Sequence, residues 1–379
     1  MTALATLRLA RPAVAAFAAM GVLWGTFAAD LPDIKTMLAV DEAQLGLMLF
    51  LTPIAAVVAM LLAPLAGVAF GRAALPLSCT LMCLGFVLPG QASLALFPLA
   101  MMAAGAGTGL TDVMMNARVA ALENARGAPL MNLSHAAYSF GYAGGALATG
   151  ALRQAGFGPP EVFALMAGLA LLLSLASIEA DGRIDGLARP KGQGAAHLGW
   201  LPVLGGAMVL VAFMTENAAE NWSALHIEKT LGGSATAGAL GPALMAITMG
   251  IARLFGQGLA SRLPALWLLT GGAVISATGA LTAAAAVSPA MAYAGFVIMG
   301  IGSSVIAPTA FSLVGQKAHP AARARAVARA TLFGYFGYFF GPPLVGMIAG
   351  QFGLRFAFVF AACLLALVPL LGRAITRRG

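Results

Sequence analysis

The chain has 379 residues, of which 60% are apolar and 9% charged, with 21 Lys and Arg against 13 Asp and Glu. A soluble domain carries about 25% charged residues, so this composition cannot furnish a water-facing surface and excludes a soluble enzyme. Unbroken apolar runs such as Phe163 to Ile178 also exclude a membrane β-barrel, whose strands alternate apolar and polar positions, and leave an all-α membrane protein.

A helix crosses bilayer hydrocarbon with about 20 mainly apolar residues. Apolar runs set against polar punctuation predict twelve such spans, at 12–32, 43–65, 73–90, 94–118, 131–152, 160–178, 199–220, 234–255, 265–286, 288–313, 328–350 and 353–372. Arg8 and Arg11 ahead of the first run resemble a signal peptide, with Ala28-Ala29 as a cleavage site. The run also fits as the first member of a repeated six-helix pattern, and it is expected to be retained.

The first span ends Leu23-Trp24-Gly25-Thr26-Phe27-Ala28-Ala29-Asp30-Leu31-Pro32-Asp33. A proline frees backbone groups, so Asp30 and Asp33 read either as lining of an outer vestibule or as a solvated helix end. In the third span, Cys79 and Cys83 have helical spacing but no accompanying ligand set, and with Cys363 they read as small apolar packing residues.

The fourth span holds Gly105-x-Gly107-x-Gly109, which lacks the preceding strand of a dinucleotide site and reads as helix packing. Further along lies Asp112, with Asn116 one turn later on the same face. Ionisable groups inside membrane helices are costly and mark function. A carboxylate isolated in hydrocarbon holds a proton more readily than one in water, and can load and release H+ as water access changes. Asp112 is thus the leading candidate for proton coupling; the plainer reading is a hydrogen-bonded tie to a neighbouring helix. Arg118, Glu123 and Arg126 predict a charge network closing the inner face.

Ser134-His135 opens the fifth span with no acid partner nearby in sequence, which rejects a peptidase and leaves pH sensing open for His135. Tyr138 and Tyr142 there, with Tyr335 in the eleventh span, line a cavity or pack a gate. Residues 179–198 are the one long polar stretch, read as a cytoplasmic hinge between an N-terminal bundle, 1–178, and a C-terminal bundle, 199–379.

Span seven carries the densest polar cluster: Glu216, Asn217, Glu220, Asn221 and then Trp222. Facing lipid they are expensive, so a cavity or outer water is expected. Carboxylates, amides and the rings of Trp222 or Trp24 supply what a sugar needs, namely hydroxyl partners and an aromatic face. Two close glutamates can also take H+ or a cation. In span eleven, Gly337-Tyr338-Phe339-Phe340-Gly341-Pro342-Pro343 is a kink site.

With the N-terminus inside, all but four of the 21 basic residues, Arg253 included, fall on the inner side; the exceptions are Lys35, Arg153, Lys229 and Arg355. Positive charge favours the cytoplasmic face, which puts both termini there. The net charge of +8 is a topology signal and not a sign of nucleic-acid binding.

The halves echo each other. Leu65–Arg72 and Phe255–Arg262 both follow a second span; Gly105-Ala106-Gly107 matches Gly300-Ile301-Gly302; Phe140-Gly141-Tyr142 recurs as Phe333-Gly334-Tyr335. Two pseudo-symmetric six-helix bundles around a central cytoplasmic loop resemble the major facilitator architecture, whose binding site lies between the halves near the midplane. Its loop signature after span two is kept as Gly67 with Gly71-Arg72, without the acid.

Within that architecture, Ala28-Ala29-Asp30-Leu31-Pro32-Asp33 and Asp112-x-x-x-Asn116 resemble the fucose-permease-like proton symporters. That resemblance implies proton-linked acids at Asp33 and Asp112. The proline following the asparagine in that branch is Ala117 here. In span five, Gly141-Tyr142-Ala143-Gly144-Gly145 lacks the proline of the drug/H+ antiporters, which argues against drug export.

The reading is therefore a secondary active transporter: H+-coupled symport of a small polar, sugar-like solute by alternating access across a bacterial-type inner membrane. Proton coupling falls to Asp112, Asp33, Glu216 and Glu220, and gating to Arg72, Arg118, Glu123 and Arg262. Solute binding falls to Asn116, Asp30, Trp24, Asn217, Asn221, Trp222, Tyr142 and Tyr335. The expected partners are solute, protons and lipid, with no metal, cofactor, nucleic acid or catalytic role, and the chain is expected to act as a monomer. The alternative is an H+-coupled drug or metabolite efflux antiporter on the same fold. A membrane scaffold and a membrane-embedded enzyme rank below it, for want of a partner-facing domain and of a catalytic constellation.

Overall fold

The computed structural model describes residues 3–126, 130–182, 198–260, 262–319 and 322–377, which are helical almost throughout, with no strand among them. Helices stand at all twelve expected positions. Spans one to six are Ala3–Leu38, Glu42–Leu49 with Leu51–Phe70, Ala74–Val87, Phe97–Arg126, Met131–Gln154 and Pro159–Ser174. Spans seven to twelve are Leu201–Leu225, Ala235–Ala260, Ala265–Ala284, Pro289–Lys317, Arg323–Phe352 and Leu354–Leu365 with Leu367–Arg377.

Several helices outrun their expected limits, most clearly Ala3–Leu38, Phe97–Arg126 and Arg323–Phe352. At 1.5 Å per residue, the 36 residues of the first reach about 54 Å, well beyond ~30 Å of hydrocarbon. An apolar run marks only the stretch in oil, whereas the backbone ladder continues into polar sequence.

Two expected single helices are broken. Pro53 has no N–H for the Leu49 carbonyl, and the helix that ends at Leu49 restarts at Leu51. Pro369 stands in the same relation to Leu365, where Leu354–Leu365 gives way to Leu367–Arg377.

The chain forms two compact units. The first comprises Met1–Val40, Met48–Arg189 and Ser234–Ile247; the second comprises Asp41–Leu47, Pro190–Gly233 and Thr248–Gly379. The starts of spans two and eight thus each join the unit built mainly from the other half of the sequence. Most of the expected linker, 183–197, lies outside the described residues.

Inside the first unit, spans one and five press together backbone to backbone. A Cβ on Gly21 would meet the Tyr142 nitrogen at 2.7 Å, and one on Gly145 the Val22 Cα at 2.8 Å. Gly141 faces Ala18 in the same seam. In the second unit, span eleven meets span seven through Gly334 against Val209 and Gly337 against Leu210 and Met214. The repeated Phe-Gly-Tyr thus has a physical reason, because each glycine is a point where a side chain would force the helices apart. Likewise Gly107 abuts Met82 of span three, and Gly302 abuts Gly272 and Ser276 of span nine.

Candidate functional site

The end of span one is polar and yet enclosed. Pro32 lies inside the helix, where it removes one backbone donor. Arg153, in the last turn of span five, reaches into this region. Its Nε and Nη2 donate to the two carboxylate oxygens of Asp33 at 2.8 Å each, and its Nη1 donates to the Ala29 carbonyl at 2.6 Å. Nε also stands 3.4 Å from Asp30 Oδ1. The Arg153 and Asp30 side chains are 2% and 0% exposed, while Asp33 is 38% exposed. The seam that brings them together is made of small residues: Ala29, Ala143 and Ala146 pack with Ala239 and Ala243 of span eight. A two-point guanidinium–carboxylate pair fixes geometry as well as charge.

Asp112 sits half-buried in span four. The Asn116 side-chain amide donates to Asp112 Oδ1 at 3.0 Å and to its main-chain carbonyl at 2.9 Å. Among the described residues no Lys, Arg or His pairs with Asp112. The helix spacing read from the sequence thus becomes a real contact, made within one helix.

In span seven, Glu216, Asn217, Asn221 and Trp222 are buried and Glu220 half-buried. Arg253 of span eight approaches Glu216 through Nη2, with a long 3.5 Å contact to Oε1. Arg253, read from the sequence as one of the inner-side charges, thus has a carboxylate partner on span seven. Asn217 turns its amide oxygen toward Gly341 of span eleven, 3.2 Å from where a Cβ would stand, and that oxygen has no hydrogen-bond partner among the described residues. The proline pair Pro342-Pro343 follows immediately, inside the helix.

A family model described as Major Facilitator Superfamily matches residues 203–378. An uncharacterized MFS-type transporter of Yersinia pestis is 31% identical over 370 residues, covering 96% of this chain and 94% of that protein. The chain belongs to the Major Facilitator Superfamily.

Solved structures share its fold. The nucleoside transporter NupG matches with a TM-score of 0.78 at 14% identity, over 98% of each chain. A D-xylose-proton symporter matches with a TM-score of 0.73 at 16% identity, over 98% of this chain and 97% of that one.

In this transporter the charge network expected of Arg118, Glu123 and Arg126 does not form among the described residues. Arg118 pairs with Glu179 through Nε and Nη2 at 2.8 and 3.0 Å, and Nη2 also donates to the Asp181 carbonyl at 3.0 Å. Glu123, expected to join Arg118, instead accepts the main-chain N–H groups of Leu130 and Met131 and so caps the start of span five. The free amides of a helix start are strong donors, which is why a carboxylate within reach settles there. Arg72 and Arg262 are exposed.

Two of the expected solute-binding rings are enclosed. Tyr142 is 2% exposed, with span one lying on its main chain, and Trp222 is fully buried. Trp24 meets Phe27 and Phe86 edge to face at 5.7 and 5.1 Å, and Tyr335 meets Phe213 at 6.0 Å; both are half-buried.

Sequence reading missed Arg153, Arg253 and Glu179 as partners. For Arg153 a signal was present: a basic residue in the last turn of a membrane helix merits the same functional suspicion as Asp112. Among the described residues no group of three or more His, Cys, Asp or Glu is placed to hold a metal ion.

Proposed function

We propose that this transporter is a proton-coupled symporter that carries a small polar, sugar-like solute into the cell by alternating access. It would lie in a bacterial-type inner membrane with both termini cytoplasmic and act as a monomer. The observation that carries the reading is Asp112, a half-buried carboxylate held by Asn116 and by no basic side chain among the described residues. A membrane-embedded acid without a permanent counter-charge can change its protonation when water access changes.

Asp33 takes part through its pair with Arg153, and Glu216 and Glu220 form a second acidic locus beside Arg253. Solute recognition falls to the acceptors of span seven. The buried Asn217 oxygen, with Glu216, Glu220 and Asn221, supports a cargo rich in hydroxyl donors, since a buried acceptor gains most from a donor that fits it. Asn116, Asp30, Trp24 and Tyr335 remain as further polar and aromatic groups.

A thermal-shift screen of the purified protein against sugars, polyols, nucleosides, organic acids and hydrophobic drugs tests the class of cargo. The reading predicts stabilisation by a sugar or polyol, followed by uptake of that compound into proteoliposomes when an inward proton gradient is imposed. Stabilisation by hydrophobic drugs alone, with proton-driven export, would replace symport by efflux.

A further inference from the structure

The cluster at the end of span one has an unequal charge count, since two carboxylates, Asp30 and Asp33, share the single guanidinium of Arg153. The elements packed around it bring few other charges. Span three has none, and neither does the start of span eight, 234–247. Span six has Glu161, exposed and accepting the Gly158 N–H. Span four has Asp112 on Asn116, Arg118 on Glu179, Glu123 on the main chain of span five, and the exposed Arg126. Span five adds His135, close to its start, against Phe17. On span one itself, Lys35 stands two residues past Asp33 and on a different helix face, and Arg8 and Arg11 lie near the opposite end.

The two carboxylates are not equivalent. Asp33 holds the two-point pair and is partly exposed, while Asp30 is enclosed, with its Oδ1 3.4 Å from the guanidinium Nε. Two like charges sharing one buried site cannot both stay ionised at low cost, and one proton removes the excess.

We propose that Arg153 is a positioning residue for proton coupling, which gathers Asp30 and Asp33 into one site that exchanges a single proton. The proton enters from water at Asp33 and rests on Asp30 as a neutral carboxyl, while Arg153 keeps its pair with the ionised Asp33. On release the Asp30 O–H bond breaks and the proton returns to water by way of Asp33. The inference rests on the symport reading above, but it concerns proton occupancy, which can be read without any solute.

Infrared difference spectroscopy of the purified full-length protein across a pH titration, in an Asp112→Asn background, reads protonated carboxyl groups directly. The proposal predicts that Asp30→Asn removes one titrating carboxyl. Arg153→Met should add one, because both acids then lack a cation, and Arg153→Lys should not. Should Arg153→Met fail to fold, Arg153→Met/Asp33→Asn removes the pair together and should keep the single Asp30 signal.

An unchanged spectrum in Asp30→Asn overturns the proposal, as does no added carboxyl in Arg153→Met or loss of the signal in the double variant. If the carboxyl titrates as expected while an imposed proton gradient drives no uptake, the symport reading fails and the exchange site stands.

Discussion

Arg118 holds Glu179 across 61 positions of chain in a two-point ion pair, with both side chains largely buried at 11% and 18% exposure. Arg11 binds the neighbouring Ile178 carbonyl at 2.9 Å, so the chain leaving span six is fixed to spans four and one together. Breaking a buried pair by removing one partner costs about 3 kcal/mol or more. Arg118→Ala and Glu179→Ala should each lower the melting temperature measurably. The double variant should lose less than the sum of the two, as a double-mutant cycle would record. Additive losses would mean that the pair contributes nothing.

Glu123 offers a contrast. Its role is to accept main-chain N–H groups, so its oxygen matters more than its charge. Glu123→Gln should stay close to wild type in stability and transport, while Glu123→Ala should lose about 1 kcal/mol, the usual worth of a helix cap. Equal damage from both would restore a charge network at this position.

Neighbouring glycines in span five should respond differently to the same methyl group. A Cβ at Gly145 would lie 2.8 Å from Val22 Cα, and one at Gly144 would meet nothing within 4 Å. Gly145→Ala should therefore depress the yield of monodisperse protein in size-exclusion chromatography, and Gly144→Ala should not.

Arg253 stands against Glu216, with Glu220 one turn further along the same helix. Arg253→Met leaves two carboxylates together without their cation. Their repulsion exists only when both are ionised, so the variant should be less stable than wild type as pH rises and should recover as pH falls. Melting temperatures taken across a pH series check the sign, and a deficit independent of pH would assign Arg253 to packing alone.

The twelve helices were legible because hydrocarbon selects for runs of apolar residues, and a run is a local property of sequence. Helix limits were less so, as at Leu38 and Arg126, because polar residues continue a helix into water without any break in apolar pattern. Asp112 and Asn116 were legible as a pair since they are one turn apart on one helix. Arg153 with Asp33 spans 120 positions, and Arg253 with Glu216 spans 37. Periodicity cannot report which helix lies beside which. The small residues that let spans one and five approach, Gly21, Gly25, Gly141 and Gly145, were visible in the sequence, but their partners were not.

The central claim is that Asp112 carries a proton in step with solute. Once a stabilising solute is in hand, proteoliposomes containing Asp112→Asn measure it most directly, by uptake under an imposed proton gradient beside exchange of labelled for unlabelled solute without one. The account predicts that gradient-driven accumulation is lost while exchange persists. Accumulation at the wild-type level in that variant would contradict it.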